Sequence, residues 1–302
     1  MKLGVIVPQG WTGEYDGWEP ERAWSRTVEV ARQAERIGAE SVWLFDHLHT
    51  TPKPTDEITF ESFTALSALA ASTERVRLGH VVICNGFRNP ALTAKMASTL
   101  DTISGGRFEL GIGAGWKREE WLAYGYGFPE TRERLAMLHD GLEVITRMLE
   151  PGHHIHASYD GEHHSVTDAR NVPKPIQPTG MPIMVGGNGP NVTWRLAARY
   201  ADELNLDGFS PDEVRDALPI IRSRCEEIGR DPDSLSVSVH LWWATPEWRA
   251  IGSERQALLA DYAELGVSRV IGLLQASAES GDALDELAAD ARGAGMELAD
   301  RA

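Results

Sequence analysis

The sequence predicts an α/β chain folded as a (β/α)8 TIM barrel, on three observations. Eight short apolar runs recur along its 302 residues. Amphipathic helical patterns separate them. Two runs end in glycine-rich turns, Gly113-Ala114-Gly115-Trp116 and Gly186-Gly187-Asn188-Gly189, as expected where strands deliver a ligand site to the C-terminal mouth of a barrel. Most of the runs lack strict alternation, which marks parallel strands covered on both faces. A doubly wound open sheet is the fallback for the same pattern.

The expected strands are 3–8, 41–46, 77–83, 107–112, 182–185, 203–206, 235–241 and 269–274. The first could be mistaken for a short leader, but it lacks a small-residue cleavage site and a polar loop follows at once. Pro20 suits the start of the first helix and Gly38 a left-handed cap at its end. After the third strand, Asn89 and Pro90 cap a helix whose Leu92, Met96, Leu100 and Ile103 share one face. After the fourth, Leu135, Leu138, Leu142, Ile145 and Leu149 do the same. Residues 151–181 then form an insertion between strands four and five, within a single domain spanning 1–302. Asn191 is a candidate cap for the helix after strand five. Ser210 with Pro211 caps the next helix, and Gly229 and Gly266 end helical stretches.

Composition narrows the function. Hydrophobic residues make up 42% and charged residues 25%, an ordinary enzyme-like balance. A net charge of -16 argues against nucleic-acid or anionic-membrane partners, which need a basic footprint. No apolar run approaches the roughly 18–20 residues of a membrane span. Cys84 and Cys225 make no disulfide framework and fit a reducing cytoplasm. His153, His154, His156, His163 and His164 match no closed zinc spacing, so a histidine-bearing hairpin is expected there and no metal. Gly-x-Ser-x-Gly, His-Glu-x-x-His and Gly-x-x-x-x-Gly-Lys patterns are missing, which removes several hydrolytic readings.

The chemistry-bearing candidates sit at the strand ends. Asp46-His47 places an imidazole at the mouth, with the carboxylate or the backbone to orient it. His49 is a weaker candidate, and either histidine could instead be a hydrogen-bonded structural residue. The stretch from Val81 to Pro90 changes abruptly from apolar to turn-like and could press on a flat ring, or simply close the core. Trp116 reads as a pocket wall. Glu119 or Glu120 reads as a general acid or an orienting carboxylate, or as a pair that favours a helix start, worth roughly 0.3–1 kcal/mol. Gly186, Gly187, Asn188 and Gly189 open a helix and so suit a phosphate, although a tight turn gives the same signal. Trp11, Trp18, Trp242 and Trp243 lie near the ends of strands one and seven and could line an apolar cavity.

Several stretches together resemble the luciferase-like monooxygenase superfamily, in its coenzyme F420-dependent branch. They are Ser41-Val42-Trp43-Leu44-Phe45-Asp46-His47, Phe87-Arg88-Asn89-Pro90, Ser104-Gly105-Gly106-Arg107, Gly111-Ile112-Gly113-Ala114-Gly115-Trp116, Tyr124-Gly125 with Phe128-Pro129, Pro173-Lys174-Pro175-Ile176-Gln177, and Val185-Gly186-Gly187 with Ala198-Arg199-Tyr200-Ala201-Asp202. The resemblance covers nearly the whole chain. It implies a barrel with an insertion after strand four and a deazaflavin, coenzyme F420, at the mouth. FMN is the alternative cofactor, used with oxygen by a monooxygenase; a non-catalytic cofactor-binding protein is the third reading. By resemblance, the cofactor would meet Val81, Val82, Gly113, Ala114, Gly115 and Trp116, with its phosphate against Gly186–Gly189. Val81–Val82 would carry a cis peptide behind the ring. His47 would support proton transfer, with Asp46 and Glu120 as the carboxylates of the site. Arg88 or Arg118 could meet the deazaflavin's anionic tail. Sugar-phosphate dehydrogenases of the superfamily carry a glutamate where this chain has Trp116, which favours a larger, less polar substrate. A homodimer and a small-molecule substrate complete the expectation.

Overall fold

The structure is a computed structural model and describes residues 1–152 and 155–299. His153 and His154 lie outside the described residues. The first elements are β1 (Lys2–Ile6), α1 (Pro20–Ile37), β2 (Ser41–Leu44), α2 (Ser62–Ser72), β3 (Arg77–His80), β4 (Ile83–Cys84), α3 (Pro90–Ser104) and β5 (Phe108–Gly113). There follow α4 (Arg118–Ala123), α5 (Thr131–Leu149), β6 (His156–Asp160), β7 (Ser165–Arg170), β8 (Ile183–Gly186) and α6 (Thr193–Tyr200). The last are β9 (Glu203–Asp207), α7 (Pro211–Glu226), β10 (Ser236–Leu241), α8 (Pro246–Arg249), α9 (Ser253–Glu264), β11 (Arg269–Leu273) and α10 (Asp282–Gly293).

Parallel strands run β3-β2-β1-β11-β10-β9-β8-β5, and a β3–β5 pairing closes the ring. This is the expected (β/α)8 barrel. The third strand differs from expectation: it stops at His80, Val81–Val82 is a cis peptide, and β4 resumes the pairing with β5. Helix ends follow local chemistry. Asn89 accepts from the Ala91 and Leu92 amides, Ser210 forms a capping box with Glu213, and Gly38 ends α1 at φ 87°. Asn191 does not cap, because α6 begins only at Thr193.

The barrel interior is filled in layers. Trp43 points inward, and Gly4 and Gly79 make room for it. A Cβ on Gly79 would stand 2.3 Å from the Trp43 ring. The indole N–H donates to Ser41 Oγ at 2.8 Å. Near the N-terminal strand ends, Arg269 bonds Glu109 at 2.9 Å and meets Glu203 at 3.3 Å, while Arg77 also bonds Glu109. Pairing is what makes buried charge tolerable there.

The insertion is the expected hairpin, β6 with β7 antiparallel. Asp140 on α5 holds it, accepting from Tyr159 Oη at 2.8 Å and the His163 amide at 2.7 Å. A strap then returns to the barrel, where Asn171 bonds Ser98 and Gln177 bonds Asp101. Among the described residues, no group of histidine, cysteine and carboxylate side chains is arranged to hold a metal ion. Likewise, no described helix is long and apolar enough to cross a membrane.

Candidate active site

A cavity of about 420 Å³ opens at the C-terminal strand ends, within the size range of small-molecule sites. His47 is its most organised polar group. Its Nδ1 lies 2.7 Å from Glu120 Oε2. Its ring stacks on Trp11, with centroids 3.8 Å apart and planes 4° apart. Glu120 is fully buried on α4, and its second oxygen accepts from the Leu48 amide at 3.0 Å. A buried carboxylate beside Nδ1 fixes the tautomer that donates there, which leaves Nε2 as the free basic atom. Trp116 stands edge-on to His47 at 5.9 Å, half-exposed at the rim.

Asp46 does not orient its neighbour. Arg88 holds both of its oxygens, at 2.7 and 2.8 Å, and the Cys84 amide and Ser62 hydroxyl add to them. Burial alone would raise its pKa, but the Arg88 guanidinium outweighs burial and holds the carboxyl below its ordinary value. Asp46 thus ties the end of strand two to the end of strand three. The same pair, joined by Glu61, occupies Arg88, so the expected reach of Arg88 toward an anionic tail is not available. Arg118 is exposed at the start of α4 and does not line the cavity.

The glycines divide into two kinds. A Cβ on Gly113 or Gly186 would come 2.9 Å from Val82, so their missing side chains accommodate Val82 beside the cis peptide. Gly115, at φ +77°, has Cys84 Sγ and Trp121 where a side chain would be. Gly187 and Gly189 instead face Thr193, whose side chain a Cβ would meet at 3.3 and 2.9 Å. Asn188 clamps the Asp207 backbone through two hydrogen bonds of 2.8 Å, and Thr193 opens α6 beside Gly189. Val81, Val82, Gly113, Ala114, Gly115, Trp116 and the Gly186–Gly189 turn all line the one cavity.

Other candidates scatter. His49 bonds the Thr50 carbonyl and does not line the cavity. Glu119 is exposed. Trp11 and Trp242 line the cavity, Trp243 packs behind Trp11 at 5.3 Å, and Trp18 lies apart under Arg22. Seven polar lining residues escaped the sequence reading: Lys117, Thr131, Arg134, Thr193, Asn205, Asp207 and His240. The signal for the last three was present. Asn205, Asp207 and His240 are polar residues in strands that alternate polar and apolar positions, spaced to face one side.

The pattern of the luciferase-like monooxygenase family matches residues 1–247. An F420-dependent glucose-6-phosphate dehydrogenase of Kineococcus radiotolerans is 33% identical over 219 residues, covering 72% of this chain and 63% of that protein. The chain therefore spans less than two thirds of that relative's length. An F420-dependent secondary alcohol dehydrogenase, solved with an F420-acetone adduct, superposes with a TM-score of 0.81 at 18% identity, covering 97% of this chain and 98% of its own. A coenzyme F420 dependent tetrahydromethanopterin reductase of Methanopyrus kandleri gives 0.73 at 20% identity, covering 96% and 97%. At such identities the structures speak for the fold alone. The family match carries the assignment, and the chain belongs to the luciferase-like monooxygenases.

Proposed function

We propose that this chain is an oxidoreductase that uses coenzyme F420 to move a hydride to or from a small organic substrate. The observation that carries the reading is the His47–Glu120 pair, fixed on Trp11 and facing the cavity beside the Val81–Val82 bulge. The relatives named as F420-dependent dehydrogenases support it.

The residues present fit the cofactor. Val81 and Val82 offer an apolar bed for a flat ring. With the Gly187 N–H donated to the Asn205 carbonyl, the Asn188–Gly189 backbone and the Thr193 end of α6 offer N–H and hydroxyl donors to a phosphate. When bound, the deazaflavin supplies the hydride chemistry. The chain's own residues supply placement and proton handling. In alcohol oxidation, the hydroxyl proton passes to His47 Nε2 as the C–H hydride leaves. In the reverse direction His47 returns that proton to the carbonyl oxygen. Glu120 stabilises the imidazolium and holds the ring's tautomer. Trp11, Trp116 and Trp242 keep water from the reacting atoms.

The test is equilibrium binding of F420 and FMN side by side, read by tryptophan quenching. Selective F420 binding at micromolar or lower concentration is expected. Selective FMN binding would replace this reading with an oxygen-using monooxygenase. His47→Ala is expected to keep F420 affinity and lose turnover. The proposal extends to a homodimer, supported by exposed Leu92 and Ile103 on α3 beside exposed Val172 and Ile176 of the strap. A light-scattering mass of two chains is the expected outcome. The buried free thiols of Cys84 and Cys225 support a cytoplasmic setting.

A further inference from the structure

A second polar system meets the cavity near Phe45. Phe45 lies 6.3 Å from the His47 ring and 6.3 Å from the His240 ring, centroid to centroid. His240 Nε2 faces Asp207 Oδ1 at 3.0 Å, and its Nδ1 faces Asn205 Oδ1 at 2.7 Å. Asn205 Nδ2 donates onward to Ser238 Oγ at 2.9 Å. Residues 205 and 207 of β9 and 238 and 240 of β10 alternate inward, so they form a column inside the barrel. Barrel interiors are usually filled by branched apolar side chains. Here polar groups replace them, and hydrogen bonds from His240 to Asn205 and from Asn205 to Ser238, with the His240–Asp207 charge contact, offset the cost of burying them.

The column ends at a carboxylate. The Asp207 side chain is 39% exposed and lines the cavity beside Trp242. Burial raises the Asp207 pKa, but hydrogen bonds from His240 and Trp242 outweigh it and hold the carboxyl below its ordinary value. The other charged groups of the cavity are engaged. Asp46 is bonded to Arg88 and Glu120 to His47. Lys117 donates to Thr51 Oγ1, and Arg134 to the Gly115 and Pro129 carbonyls. Both cations follow β5, three strands round the ring from β10.

We propose that Asp207 selects the substrate by charge. It accepts a hydrogen bond from an O–H or N–H group remote from the reacting carbon, a protonated amine foremost, and repels phosphate esters and carboxylates. Trp11 and Trp242 cover the apolar part of such a molecule. His240 is the positioning residue that aims the carboxylate. This rests on the oxidoreductase reading above and adds the substrate class: small neutral or cationic alcohols and carbonyl compounds.

The experiment measures the affinity of the F420-loaded protein for cyclohexylamine, cyclohexanol and cyclohexanecarboxylate at pH 7, by calorimetry. The expected order is amine, then alcohol, then carboxylate, with about tenfold or more between the ends, as a hydrogen bond to a charged group gives. Asp207→Asn is expected to compress that spread to within about threefold and to leave F420 affinity unchanged. Equal binding of amine and carboxylate by the wild type overturns the proposal. So does an unchanged order in the variant, or a variant that loses F420 instead, which would assign Asp207 to the cofactor. If D207N fails to fold, the wild-type order decides alone. If F420 does not bind, the oxidoreductase reading fails by that titration, and the same three compounds on the bare protein still decide the charge preference.

Discussion

Replacing His80 by Leu should remove a pH-dependent weakness of the fold. His80 ends β3, immediately before the cis peptide. It is fully buried, lies 4.3 Å from Phe63 centroid to centroid, and neither ring nitrogen has a hydrogen-bond partner. Burial, with a smaller push from Arg88, drives its pKa down from 6.5 to about 3 against the pull of Asp46. In the unfolded chain the imidazole regains its ordinary value. Between those two values the unfolded state binds a proton that the folded state refuses. Stability is therefore full above about pH 6.5 and falls as pH drops toward 3. One pH unit inside the window costs about 1.4 kcal/mol, so lowering the pH from 7 to 5 costs about 2 kcal/mol through this group alone. Urea unfolding at the two pH values measures it. His164 is also shifted down by burial, so wild type is compared with H80L rather than read alone. Leu fills a similar volume and carries no unsatisfied nitrogen, so the variant should lose about 2 kcal/mol less than wild type between pH 7 and 5. Equal losses in the two proteins would refute the reasoning.

Three further outcomes are expected. Glu120→Gln keeps the shape of the side chain and removes its charge; turnover should fall about 10- to 100-fold with F420 affinity retained, which steady-state kinetics and a fluorescence titration check together. Asn188→Ala frees the Asp207 backbone from the glycine turn and should weaken F420 binding about tenfold, read by the same titration. Gly79→Ala drives a methyl group into the Trp43 ring and should cost about 1–3 kcal/mol, seen as a lowered melting temperature with unchanged secondary structure by circular dichroism.

The fold was legible because its signals are local. Short apolar-rich runs separated by helical patterns gave the parallel strands, and Asn89-Pro90, Ser210-Pro211 and Gly38 marked helix ends through bonds made within a few residues. Asn191 misled because a capping side chain says nothing about where the turn before it finishes. The site was legible only in part. The cavity contains His47, Trp116 and the glycine turn, which the sequence marks by residue type. Its organising contacts are long-range: Glu120 lies 73 residues from His47. The adjacent Asp46 was the natural candidate by sequence, yet its carboxylate is committed to Arg88. That bond also withdrew Arg88 from any role at the mouth. Asn205, Asp207 and His240 stand in strands where polar and apolar residues alternate, a visible signal, but the sequence does not say which face of such a strand points into the barrel.

The origin of Glu120 has a consequence for how the site is assembled. His47 follows β2, whereas its carboxylate partner is carried by α4, a helix of six residues outside the barrel ring. Lys117, one residue before α4, is tied to Thr51, and Tyr124, one residue after it, to the Leu48 carbonyl. The short helix is thus stitched at both ends to the loop that bears the imidazole. Neither loop alone makes an organised base. Trp121, the residue after Glu120, is buried against Cys84 and Phe87, so the packing that seats α4 also sets the carboxylate against the imidazole. The reactive state is then a property of how two loops dock, and not of either strand end alone.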